Sequence, residues 1–202
     1  MSIKRKVRSV ERLFDHLDQE ITEFNSHAKL HCQEGCGKCC TKPDIDASPL
    51  EFLPWSYHLF LNGQAEIVLN KLKKQSDPIC HIYKPLSIID NSNGNCGAYK
   101  YRGLICRLFG YGASKDKLGQ LRLATCAIIR EGQRSKVDTA NKAITQGLEV
   151  PIFSDYYMKL SQIDFHLGNI IVPINQALIM AIEEVLQYYA YRPLPNGFDN
   201  AA

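Results

Sequence analysis

The chain has 202 residues, 45% of them hydrophobic and 22% charged, with a formal charge of +3. Those values describe an ordinary globular chain with one sizeable core rather than two. They also argue against nucleic acid as a partner, because eight thiolates holding two Zn²⁺ ions would take the charge to about −1.

The opening MSIKRKVRSVERLF is basic but has no apolar stretch behind it, so a secretory segment is not expected. No membrane span is expected either. The most apolar run, residues 170–182, is interrupted by Pro173, Asn175 and Gln176. A cytoplasmic, reducing compartment follows, where cysteines favour metal over structural disulfides.

In chain order, Val7, Val10, Phe14, Leu17, Ile21 and Phe24 recur every three or four residues. That spacing predicts an amphipathic helix over residues 1–28, packed on its own domain rather than in a coiled coil. Cys32, Cys36, Cys39 and Cys40 come next, with Gly35 and Gly37 permitting tight loops. Ser48, Pro49 and Glu51 form a helix start with a reciprocal cap. It predicts a helix over residues 49–61 that Pro54 would kink. Residues 64–74 form a second helix with Ile67, Val68 and Leu72 inward, and the Asn- and Gly-rich residues 90–97 form a loop. Between Cys106 and Cys126 the pattern fits a β-hairpin turning over residues 114–118, which would bring these two cysteines together. Helices are predicted over 137–147, 154–167 and 173–191, and residues 192–202 read as a flexible tail. The expected fold class is mainly α: a single domain over 1–202, with a cysteine-rich irregular metal-binding region and one small hairpin.

Eight cysteines, half of them within nine residues, exceed what packing needs. Cys32, Cys36, Cys39, Cys40, Cys80, Cys96, Cys106 and Cys126 are therefore the candidate metal ligands. They divide into two tetrathiolate sites or one polynuclear site, and thiolates suit zinc and iron–sulfur clusters alike. Adjacent side chains on an extended backbone diverge, which puts Cys39 and Cys40 on different ions or one of them at the edge of a cluster.

The stretch CQEGCGKCC from Cys32 to Cys40, the later Cys80, Cys96-Gly-Ala-Tyr99, and Arg102-Gly-Leu-Ile-Cys106-Arg107-Leu-Phe109 together resemble the YkgJ-type cysteine-cluster family of zinc- or iron-chelating proteins. The likeness covers about residues 30–126 and implies seven ligands, Cys32 through Cys106, with Cys126 less securely placed. Gly103 stands where that family usually has proline. The family includes flagellin lysine N-methylases, while most members have no assigned activity, so catalytic residues stay unassigned.

Cys32, Cys36 and Cys39 also satisfy the CxxxCxxC loop of radical S-adenosylmethionine enzymes. Here, however, the motif follows a helix, and no alternating strand–helix series succeeds it. An iron–sulfur enzyme (a methyltransferase or redox protein) and a metal-stabilised interaction module whose first helix engages a protein partner stand as alternatives to plain metal binding. His31 and His81 read as surface or supporting residues. Arg102 and Arg107 read as counter-charges to the thiolates. The pairs Asp44/Asp46 and Glu183/Glu184 read as solvated, and no acid–base pair is identified.

Overall fold

The computed structural model describes residues 1–86 and 93–195. It is mainly α, with nine α-helices and three two-stranded antiparallel ladders among the described residues. The first helix, α1, runs Ile3–Ala28, and its predicted stripe is the buried one: Val7, Val10, Phe14, Leu17 and Phe24 are all enclosed. Each such burial contributes about 1.5–3 kcal/mol, which explains why so polar a helix holds to the body.

A short strand β1 (Asp46–Ala47) precedes the capping box. Ser48 N–H donates to Glu51 Oε1 at 2.8 Å, and Leu50 N–H donates to Ser48 Oγ at 3.2 Å. The turn this box opens is 3₁₀ (Pro49–Phe52), and a separate helix α2 (Leu53–Leu61) follows. Pro54 does not kink anything, because it occupies the first turn of α2, where its missing N–H costs nothing. Helix α3 (Ala65–Lys74) buries Leu72 but leaves Ile67 48% exposed, so Ile67 is not inward as its spacing suggests.

Strands β2 (Tyr83–Pro85) and β3 (Gly94–Cys96) pair with Tyr83 opposite Cys96. The predicted 90–97 loop is thus a strand at its end, while 90–92 lie outside the described residues. After a 3₁₀ turn (Tyr99–Tyr101) comes α4 (Leu104–Leu108), which carries Cys106. The predicted hairpin is present as β4 (Ala113–Lys115) and β5 (Leu121–Leu123). Its turn sits at 116–120, two residues later than expected, because the Asp116 carboxylate accepts from Leu118 N and Gln120 N, both at 2.9 Å.

Helices α5 (Ala127–Gly132) and α6 (Arg134–Thr145) follow. The helix predicted over 154–167 is two: α7 (Phe153–Ile163) and α8 (Phe165–Asn169). Asp164 breaks it by capping α8 through a 3.0 Å bond from Leu167 N. Strand β6 (Val172–Pro173) pairs with β1, and α9 (Ile174–Tyr189) closes the fold. The expected tail falls largely on 196–202, outside the described residues.

Two apolar clusters result. The main core gathers the first half of α1 with α2, α7 and α9. A second joins Phe24, Ala28 and Leu30 to Ile129, Val137, Ala140 and Ile144. Helix α1 enters both. Lys6 near its start pairs with Asp164 at 2.6 Å and Glu184 at 3.0 Å, tying it to α8 and α9. Among the described residues, no helix is long and apolar enough to cross a membrane.

Candidate metal centre

The cysteine loop begins where α1 ends. Lys29 takes a left-handed conformation (φ 52°), and Leu30 N–H bonds Asn25 Oδ1 at 2.8 Å. The main chain of His31 is then gripped by one side chain. Its N–H donates to Gln133 Oε1 at 3.2 Å, and its carbonyl accepts from Gln133 Nε2 at 2.6 Å. Two tight turns follow, Cys36 N to Gln33 O at 3.2 Å and Cys40 N to Gly37 O at 2.9 Å. Gly37 adopts φ 56°, and a Cβ there would lie 2.8 Å from Gly94 O, so the loop needs glycine at this position.

Four cysteines belong to the main core. Cys80 is buried within it, and Cys40, Cys96 and Cys106 pack against it. Main-chain bonds hold three of them together. Cys80 N–H donates to Cys40 O at 3.1 Å, Tyr83 N–H donates to Cys80 O at 2.9 Å, and Tyr83 in turn pairs with Cys96. Burial pushes the Cys80 thiol up to about 11, with Cys96 and Cys39 adding to the rise. Burial likewise raises Cys106 strongly, followed by the charges of Cys80, Glu51, Cys39 and Cys96.

The remaining four lie outside that core. Cys32 and Cys39 are exposed, and Cys36 is half-buried. Cys126 packs on the second cluster and caps α5, its sulfur accepting from Ile129 N at 3.4 Å. Cys32 is raised by burial first, then by the thiols of Cys36, Cys39 and Cys126. Cys106 packs against the main core and Cys126 against the second cluster. The thiols that raise Cys106 include Cys80, Cys39 and Cys96.

At Cys39 and Cys40 the backbone is a turn, not the extended chain on which adjacent side chains diverge. Interaction between the two thiols raises Cys40 and lowers Cys39 to about 6, the latter against an opposing effect of burial. Arg102 also favours the Cys39 thiolate, and its charge reaches Cys32 and Cys96. Its guanidinium lies over Tyr99 at 4.3 Å and donates to that hydroxyl at 2.7 Å, while its buried Nε has no partner. Arg107 does not share the role expected of it. It is buried against Phe14 and bonded to Asp18, Lys100 O and Arg102 O, which makes it an anchor for α1.

The histidines stand aside from the sulfurs. His81 Nδ1 meets Gln75 Oε1 at 2.7 Å, and burial lowers its pKa. Asp44 and Asp46 are exposed as expected. Glu183 and Glu184 are not simply solvated, since Glu183 pairs with Lys73 at 2.6 Å and Glu184 with Lys6. Sequence reasoning treated Glu51 as a cap alone. It is fully buried, and its Oε2 also accepts from Ile105 N at 2.9 Å, capping the helix that carries Cys106. Burial raises its pKa to about 7, opposed by the backbone N–H groups of Ser48 and Ile105 and by Tyr157.

In kind the donors suit a soft cation: eight free thiols come from five separate stretches, with Cys40, Cys80, Cys96 and Cys106 in or against the main core and Cys126 against the second cluster. Among the described residues no three His, Cys, Asp or Glu side chains form a group that could hold a metal ion. No protein-family model, curated protein or solved structure matches the chain.

Proposed function

We propose that this chain is a metal-binding protein that holds zinc or iron, the latter as ions or an iron–sulfur cluster, through its eight cysteines. The metal fastens the loop after α1 to the region from Cys80 to Cys126, in a reducing compartment where free thiols persist. What supports this reading is eight free thiols, four of which, Cys40, Cys80, Cys96 and Cys106, come from distant stretches onto one core. Thiols with raised pKa values are poor anions by themselves, and a bound divalent cation supplies the counter-charge that deprotonates them. The likeness of the CQEGCGKCC stretch to the YkgJ-type cysteine-cluster family belongs to the same proposal.

The test is elemental analysis of chain purified anaerobically, alongside a thiol count under denaturing conditions. At least one zinc or iron per chain is expected, with release of protons on metal addition to the reduced apoprotein. A chain that stays metal-free when offered Zn²⁺ and Fe²⁺ under reduction refutes the proposal.

A further inference from the structure

We propose that the cleft between α1 and the 3₁₀ turn Tyr99–Tyr101 binds a free α-amino acid whose side chain carries no charge. The cleft encloses about 190 Å³, and its two main walls have opposite sign. Glu11, Asp15 and Asp18 follow one another at helical spacing, which puts their carboxylates on one face of α1. Lys100, on the turn, and Arg102, directly after it, form the basic wall. Phe14 and Pro54 add apolar surface to the lining.

At one end the walls are locked together. Arg107 bonds Asp18 through Nη1, and its other nitrogens donate to the carbonyls of Lys100 at 2.7 Å and Arg102 at 3.1 Å. One buried guanidinium thus fixes the turn against α1, so the site is formed before a ligand arrives. Elsewhere the opposite charges do not close on each other. Arg102 Nη2 stops 3.9 Å from Asp18 Oδ1, and among the described residues Glu11, Asp15 and Lys100 make no ion pair. Desolvation raises the pKa of Glu11, Lys100 opposes that rise and Asp15 adds to it, so the charges of the two walls feel one another.

Acids and cations held apart in this way suit a ligand that brings one charge of each sign. Its ammonium faces Glu11 and Asp15. Its carboxylate faces Lys100 and Arg102, whose guanidinium donates to the Tyr99 hydroxyl at 2.7 Å and keeps further donors uncommitted, a buried Nε among them. A simple cation would leave the basic wall unanswered, and a simple anion the acidic one. The volume lies below the roughly 300–1,000 Å³ of sites for drug-sized ligands, which limits the occupant to amino-acid size. Phe14 and Pro54 give a third charge nothing to meet.

The experiment is titration calorimetry and saturation-transfer NMR on the full reduced chain with L-leucine and L-phenylalanine, each beside its decarboxylated amine and its N-acetyl form. At least one amino acid should bind with a Kd below about 1 mM. Masking either charge should weaken it by about tenfold or more, the value of one charge-assisted hydrogen bond. Glu11, Asp15 and Lys100 are exposed, so their variants keep the fold, which an unchanged thermal melt verifies. Glu11→Gln and Asp15→Asn should each weaken the amino acid by a similar factor and leave the N-acetyl form unaffected. Lys100→Met should weaken the amino acid and leave the amine unaffected. No binding of either amino acid at ten times that concentration, an amine or N-acetyl form as tight as its parent, or variants of full affinity overturn the proposal.

Discussion

Replacing Gly103 by alanine isolates the packing that aims Cys106. Gly103 precedes α4 with φ −66° and ψ 172°, angles open to any residue, so the backbone itself would not resist. The obstacle is space. A Cβ would lie 2.8 Å from Glu51 Oε2 and 2.8 Å from Phe52 Cζ, and both side chains are buried with no room to retreat. Overpacking of this kind costs about 1–3 kcal/mol. The smaller unfolded-state entropy of alanine returns about 0.4–1 kcal/mol. A net loss of about 1–2 kcal/mol is expected, and for a chain of this size that is a fall in Tm of roughly 2–8 °C. Displacing Glu51 would also strip the cap from Ile105 N. The assay is urea and thermal unfolding of the reduced chain, with and without added Zn²⁺. A variant as stable as the parent under both conditions would show that the Glu51–Phe52 wall yields, and the steric reasoning would be wrong.

Two other outcomes are expected. Glu51 has a folded pKa of about 7 against an ordinary 4.5, so its protonated form is the stabilising one. That contribution is complete below about pH 4.5 and is lost as pH rises through 7, by about 3 kcal/mol at most. Glu51→Gln should therefore flatten the stability–pH curve between pH 5 and 7, and an unchanged slope in urea titrations across that window would disprove the assignment. Lys6→Met removes the cation shared by Asp164 and Glu184, all three partly screened by solvent; a loss of about 1–3 kcal/mol is expected from chemical unfolding, and a gain in stability would mean the pairs contribute nothing.

Much of this architecture is legible in the residues because local physics sets it. The stripe of α1 follows from helical period alone, and the Ser48–Glu51 box from hydrogen-bond reach. What local pattern cannot supply is partner choice between distant segments. Cys106 joins the main core and Cys126 the second cluster, a division that no spacing encodes. A turn closed by Cys40 N on Gly37 O, not an extended chain, sets the directions of Cys39 and Cys40. Arg107 looks equivalent to Arg102 in sequence, yet Asp18, 89 residues away, claims it. The influence of Tyr157 on Glu51 likewise depends on the distant helix α7.

Helix α1 has spent its greasy side internally, lending residues to both clusters. A shortened protein lacking residues 1–28 would thus not merely shed an appendage available to a companion. It would lay open two hollows at once and precipitate, so deletion there cannot serve as a probe of association.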